Sequence, residues 1–186
     1  MIMSLFRRAP RMLNEKIVDK AYGAIVAAAR NPVLYAEWGV PDTPLGRYES
    51  VGLHMILFLH RTRGAESPLD EFAQDVLDEF FKDVDHSMRE LGVGDPSVPK
   101  RMKKLARMFY GRMGNYWSAL DSEDADALGE ALARNVAPED PAVIDRNGIA
   151  RYMMRSARYL AEIPDSELLA GGVRFPDPAE AERRPA

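Results

Sequence analysis

Phe80-Phe81-Lys82-Asp83-Val84-Asp85-His86-Ser87-Met88-Arg89-Glu90-Leu91-Gly92-Val93-Gly94-Asp95 reads as the last turns of an amphipathic helix running into a glycine turn. Upstream, Ser67-Pro68-Leu69-Asp70 opens that helix, with Asp70 where the positive end of the helix dipole favours a carboxylate. Leu69, Phe72, Val76, Leu77, Phe80, Val84 and Leu91 recur at helical spacing as one apolar stripe. Gly92 stands where helices commonly end on a left-handed residue. The pattern predicts a helix over 68–91.

The same periodicity extends in both directions. Ile17, Ala21, Ala24, Ile25 and Ala28 predict a helix over 14–30, stopped by Asn31-Pro32, and a short helix follows from Pro32 to Trp38. Thr43-Pro44 reads as an N-cap with a first-turn proline, opening a helix over 44–62. That helix is apolar on several sides at its centre, so it is the expected buried one. A helix over 99–120 turns Met102, Leu105, Phe109, Met113, Tyr116 and Leu120 inward. Asp121 or Ser122 is expected to cap a small acidic helix ending near Asn135, and Asp140-Pro141 to open a long one to about Ile163. No strand-like alternation and no internal repeat is present. The chain therefore reads as all-α, a single-domain irregular helical bundle of six to eight helices over 14–172. A flexible basic segment (1–13) precedes it, and a proline-rich and charged tail (173–186) is expected to be disordered.

Composition narrows the function classes. Hydrophobic residues make up 46% of the 186, enough to close one core. A net charge of −4 argues against a protein that coats nucleic acid, and DNA is not an expected partner. With no cysteine there are no disulfides, thiolate nucleophiles or cysteine-ligated metals. The densest apolar run, Met55–Leu59, is far shorter than the roughly 18–20 residues that span a bilayer. The expected location is the cytoplasm, with peripheral contact at the inner face of the cytoplasmic membrane as an option.

No catalytic pattern emerges. Glu79, Asp83 and His86 share a helix face as a conceivable metal set, but a di-iron bundle needs paired Glu-x-x-His motifs and the chain has none. The competing reading is a solvated face of i,i+4 pairs such as Asp85–Arg89. His54 and His60 lie about 240° apart on their helix, too far to share a ligand, and each reads as a helix-edge histidine. Neither a nucleophile elbow nor a phosphate loop occurs. No catalytic residue, metal or cofactor is expected.

Other features point to partners. Lys100, Arg101, Lys103, Lys104 and Arg107 crowd a helix start, where the macrodipole disfavours cations; RNA, anionic lipid, an acidic partner or a merely solvated face all fit. Asp42, Arg47 and Glu49 surround another helix start, where a buried Arg–carboxylate pair is expected to pin the loop. Met88, Met102, Met108, Met113, Met153 and Met154 suit either an adaptable apolar groove or core filling.

Three blocks together resemble the ubiquinol–cytochrome c chaperone family. The first is Tyr35-Ala36-Glu37-Trp38-Gly39-Val40-Pro41-Asp42-Thr43-Pro44-Leu45-Gly46-Arg47-Tyr48-Glu49, followed by Leu53-His54. The second is Phe80 to Asp95. The third runs Val98-Pro99-Lys100-Arg101-Met102-Lys103-Lys104 into Phe109-Tyr110-Gly111-Arg112. The resemblance covers roughly residues 20–120 and weakens beyond. It implies an all-helical, non-enzymatic factor that binds nascent or newly inserted cytochrome b during assembly of the bc1 complex. Mitochondrial relatives act with a small partner protein near the ribosomal tunnel exit; the chain lacks their long presequence, which suggests a bacterial member. On this reading the partner-binding residues are Val40, Pro41, Asp42, Arg47, His54, Phe81, Asp85, Arg89, Lys104, Phe109, Tyr110 and Arg112, with Arg89, Lys104 and Arg112 expected to be exposed. The alternatives are an RNA- or ribosome-binding adaptor using the 100–107 helix start, and a helical metal-binding enzyme.

Overall fold

The computed structural model describes residues 11–181, and among these all regular structure is helical. In order come α1 (Arg11–Ala29), α2 (Pro32–Ala36), α3 (Pro44–Thr62), α4 (Leu69–Glu90), α5 (Val98–Asp121), α6 (Ala125–Val136), α7 (Arg146–Ala161) and α8 (Asp165–Leu168). Single 3-10 turns stand at Asp95–Ser97 and Pro178–Ala181.

The capping chemistry explains most boundaries. The Asn31 side chain accepts from the Val33 amide at 3.0 Å, and Pro32 fills the first position of α2, where no amide hydrogen is needed. Thr43 caps α3 by accepting from the Gly46 amide at 3.1 Å. Gly46 is required for a second reason: a Cβ there would sit 1.9 Å from the Pro41 carbonyl oxygen. The chain passes Gly92 at φ +79°, the left-handed turn read from its sequence.

α3 is the centre of the bundle. Gly52 to Phe58 are all buried, enclosed by α1, α4, α5, α6 and α7. Phe58 meets Phe72 of α4 edge-on, Ile25 of α1 is fully buried, and Met153 with Leu160 of α7 close the far side. Each such aliphatic or aromatic side chain contributes about 1.5–3 kcal/mol by leaving water. Leu77, Phe80 and Phe109 are buried as expected. At the end of α3, Arg61 donates to the carbonyls of Leu160 (3.0 Å) and Ile163 (2.7 Å), satisfying acceptors at the C-terminus of α7.

Four expectations need correction. α7 opens at Arg146 rather than near Asp140, because the Asp145 side chain caps the Gly148 amide at 2.9 Å. The Asp145 amide meanwhile bonds the Trp38 carbonyl at 2.9 Å, holding 140–144 as turns against α2. α6 opens at Ala125, since α5 continues to Asp121 and it is Asp124 that accepts from the Ala127 amide at 2.9 Å. Leu91, placed on the apolar stripe by its spacing, is 61% exposed. It is the residue at which α4 stops, and Met88, one turn earlier, is the last one buried.

The fourth correction is the tail. Val173 is 3% exposed, and Phe175 packs edge-on against the His54 ring with centroids 5.0 Å apart. Arg155 of α7 donates to the Asp177 carbonyl. The prolines that argued against packing here stiffen a strap that crosses the bundle; positions 182–186 lie outside the described residues. At the other end, Arg11–Leu13 belong to α1, and positions 1–10 of the expected flexible segment are likewise outside.

Candidate functional site

The three blocks quoted from the sequence meet in space. Tyr48 of α3 stacks on Phe80 of α4 (centroids 5.9 Å) and donates to the Leu105 carbonyl of α5 at 2.8 Å. Phe80 and Phe81 pack on Phe109 at 5.3 and 5.7 Å, and Phe81 reaches Tyr110 at 6.2 Å. The short connection and these contacts make α4 and α5 an antiparallel pair whose seam is aromatic. Beside Phe81, with Asp78, Lys82 and Asp85, lies an open depression of about 430 Å³. The helices flanking it carry opposite charge. α4 holds eight carboxylates against two Lys/Arg cations, and α5 six cations against one carboxylate.

The proposed partner-binding residues fall into two groups. Pro41, Asp42, Arg47, Phe81, Asp85, Arg89, Lys104 and Tyr110 reach the surface fully or in part. Arg89 bridges Asp85 at 2.7 Å and Asp95 across the turn that joins α4 to α5, so those three side chains are partly committed to the hairpin. Asp42 accepts from Arg47 at 2.7 Å on the open surface, and that bond holds its carboxyl below the usual range.

Val40, His54, Phe109 and Arg112 are interior. Val40 and Phe109 are 5% and 2% exposed, and both belong to the apolar core. His54 is not at a helix edge but fully enclosed, because α7 and the tail cover that side of α3. Its Nδ1 lies 2.7 Å from the Ser50 carbonyl and its Nε2 2.9 Å from the Tyr152 hydroxyl. A carbonyl only accepts, so Nδ1 carries the proton and Nε2 accepts from tyrosine. Burial pushes this imidazole down to about 4, leaving it neutral at ordinary pH.

Arg112 is the main revision. Only 12% of its side chain is exposed, and it pairs with Glu49, which is 5% exposed. It also reaches the Asn135 carbonyl of α6 at 3.4 Å. The buried Arg–carboxylate pair expected among Asp42, Arg47 and Glu49 does use Glu49, but its arginine is Arg112 and it joins α3 to α5; Asp42–Arg47 is an exposed pair. Burial raises the Glu49 carboxyl to about 7 despite the guanidinium beside it. Sequence spacing gave no signal for a partner 63 positions away.

The side chains of the metal reading are engaged separately. Glu79 meets Lys82 at 2.9 Å, Asp83 accepts from the Tyr22 hydroxyl at 2.7 Å, and His86 faces Glu90 at 3.2 Å. Among the described residues no three His, Asp or Glu side chains converge as ligands. Of the methionines singled out, Met88, Met153 and Met154 are core, while Met102, Met108 and Met113 are half-buried along α5. The tertiary roles of Tyr22, which ties α1 to α4, and of Tyr48, which ties α3 to α4 and α5, were missed. Their hydroxyl partners are distant in sequence, so periodicity carried no trace of them.

The sequence profile described as ubiquinol–cytochrome C chaperone matches residues 36–175, about three-quarters of the chain. The chain belongs to this family. The crystal structure of the Cbp3 homolog from Brucella abortus superposes with a TM-score of 0.84 at 51% sequence identity, covering 91% of this chain and 93% of that one. Among curated protein sequences, none matches significantly. The family match reaches the tail residues Val173 and Phe175, so the apolar part of the strap lies inside the shared region. Among the described residues, no helix is long and apolar enough to cross a membrane.

Proposed function

We propose that this protein is a non-enzymatic assembly chaperone that holds newly made cytochrome b while the ubiquinol–cytochrome c reductase (bc1) complex forms. Family membership supports the bc1 assembly role. The observation that carries the client site is the α4–α5 seam, where an aromatic row reaches the surface between an acidic and a basic helix. A nascent membrane protein presents apolar helices flanked by charged loops before its partners arrive. A soluble surface that binds it reversibly needs modest apolar area rimmed by charge. Tyr110 is 49% exposed and Phe81 half-buried beside it; Asp85 lines the same depression, Arg89 pairs with it, and Lys104 is an exposed cation further round α5.

One structural detail supports close approach on α5. Gly111 and Gly114 are exposed in mid-helix, and a Cβ at either would meet nothing within 4 Å. Helix interiors are weakened by roughly 1 kcal/mol per glycine relative to alanine. The free protein has no steric use for either residue, whereas the backbone of a docked helix would.

The test is photocrosslinking in cells from a probe amino acid placed at Phe81 or Tyr110, with Arg134 of α6 as the control position. Cytochrome b captured from the seam positions and not from Arg134 is the expected result. Capture at Arg134 alone would place the client elsewhere, and no capture of cytochrome b from any position would count against the chaperone reading.

A further inference from the structure

We infer that the first three turns of α5 form a docking surface for an anionic lipid bilayer. Lys100, Arg101, Lys103, Lys104 and Arg107 are all exposed, and none takes part in an ion pair among the described residues. Elsewhere among the described residues unpaired cations are scattered singly, as at Arg30 and Arg151, and Arg47, Arg63, Lys82, Arg89, Arg158 and Arg174 are paired. Here the fold gathers five over the first three turns, Lys100 and Arg101 in the first turn where the macrodipole repels them, and pairs none of them with a carboxylate. Folding alone does not account for that placement.

The geometry is that of a surface. At 100° per residue, Lys103, Arg107, Lys100 and Lys104 fall within an arc of roughly 100°, opposite the buried Val98, Phe109 and Tyr116. The patch is about 10 Å long. The carboxylates near its edge, Asp85, Glu90 and Asp95, face Arg89 and His86, so six Lys/Arg cations outweigh three acids between residues 85 and 107. The whole chain, by contrast, carries a net −4.

Two exposed apolar side chains select lipid over other polyanions. Leu91, 61% exposed, is the C-cap of α4 and opens the connection that leads into the cationic turns. Tyr110, 49% exposed, follows Arg107 by one turn on the outer side. Cations flanked by a leucine and an interfacial tyrosine suit the headgroup boundary, where charge meets phosphate and apolar groups leave water. An RNA backbone rewards the cations but not the leucine. This surface adjoins the client seam, so a membrane-bound chaperone would hold its aromatic row close to where an inserting protein emerges.

The experiment is sedimentation of the purified full chain with phosphatidylglycerol–phosphatidylcholine vesicles and with phosphatidylcholine alone, at low and high salt. No client is present, so the outcome is independent of the chaperone reading. Binding to the anionic vesicles only, weakening as salt rises, is expected. K100Q/K103Q/K104Q should lower the partition coefficient roughly a hundred-fold, at about five-fold per cation removed. Leu91→Ser should lower it roughly ten-fold. Arg151→Gln, on α7, should change neither binding nor melting temperature. Equal sedimentation of wild type and the triple variant, both folded by circular dichroism, would overturn the proposal. So would binding to a polyuridine oligonucleotide or a polyglutamate peptide with none to anionic vesicles.

Discussion

Arg112 holds its guanidinium against the Glu49 carboxylate inside the α3–α5 contact, with 12% and 5% of the two side chains exposed. Removing one partner strands the other charge in a poor solvent. Arg112→Ala is therefore expected to cost about 3–5 kcal/mol, seen as a drop in the urea midpoint. An exchange of Arg89 or Lys104 should stay within about 0.5 kcal/mol, because both reach solvent. Charge reversal aimed at docking should thus use Arg89 and Lys104 and leave Arg112 intact. Lower cytochrome b accumulation at an unchanged melting temperature is the outcome expected of that pair.

His54 and Glu49 titrate in opposite senses. The His54 imidazole sits near 4 in the fold against an ordinary 6.5, so its contribution is complete above 6.5 and is lost as pH falls toward 4. The Glu49 carboxyl sits near 7 against an ordinary 4.5, so its contribution is complete below 4.5 and is lost as pH rises through 7. Between those limits the two slopes oppose. His54→Gln should leave the Glu49 slope uncompensated: relative to wild type, the variant's stability falls as pH goes from 5 to 6.5. Because Glu49 is common to both proteins, a difference of the opposite sign in urea midpoints would show that His54 is assigned the wrong environment.

At the scale of elements, the α4–α5 hairpin joins an acidic helix to a basic one through a row of aromatic rings. Gly111 and Gly114 weaken α5 on its open side without relieving any clash. Alanine at either should stabilise the isolated protein by about 0.4–1 kcal/mol, measurable as a raised melting temperature. The same changes should reduce cytochrome b capture in cells if a client helix approaches α5 closely. Gly23 of α1 is the control, since a Cβ there also meets nothing. Gly23→Ala should stabilise to a similar degree and leave capture unchanged. Equal effects of all three on capture would point to general rigidity rather than a contact.

Over the whole molecule, the strap formed by Val173 to Asp177 crosses α3 and α7 and closes the region around His54 and Tyr152. Phe175 is half-buried, so Phe175→Ala should cost about 1–3 kcal/mol and raise the accessibility of the His54 ring. Hydrogen exchange at the middle of α3 is the direct measure, and protection should fall there first. Unchanged protection would mean that the strap rests on the bundle without stabilising it.

The pattern of apolar residues was sufficient for the class of fold, the three long helices and the identity of the central one. Spacing at 3.6 residues reports a buried face whatever covers it, and Thr43, Asn31 and Gly92 carry their capping chemistry locally. The blocks that suggested a partner surface were also legible, because they are contiguous in sequence. Tertiary structure alone decided which of their residues reach a partner. Arg112 and His54 are polar residue types that are usually exposed, and they are enclosed because α6, α7 and the tail fold over them from positions up to 121 residues away. A polar side chain signals its type but not its burial, since the groups that satisfy it come from distant segments. The tail was misread for the same reason: prolines break helix interiors, but they do not forbid packing once a surface exists to receive Val173 and Phe175.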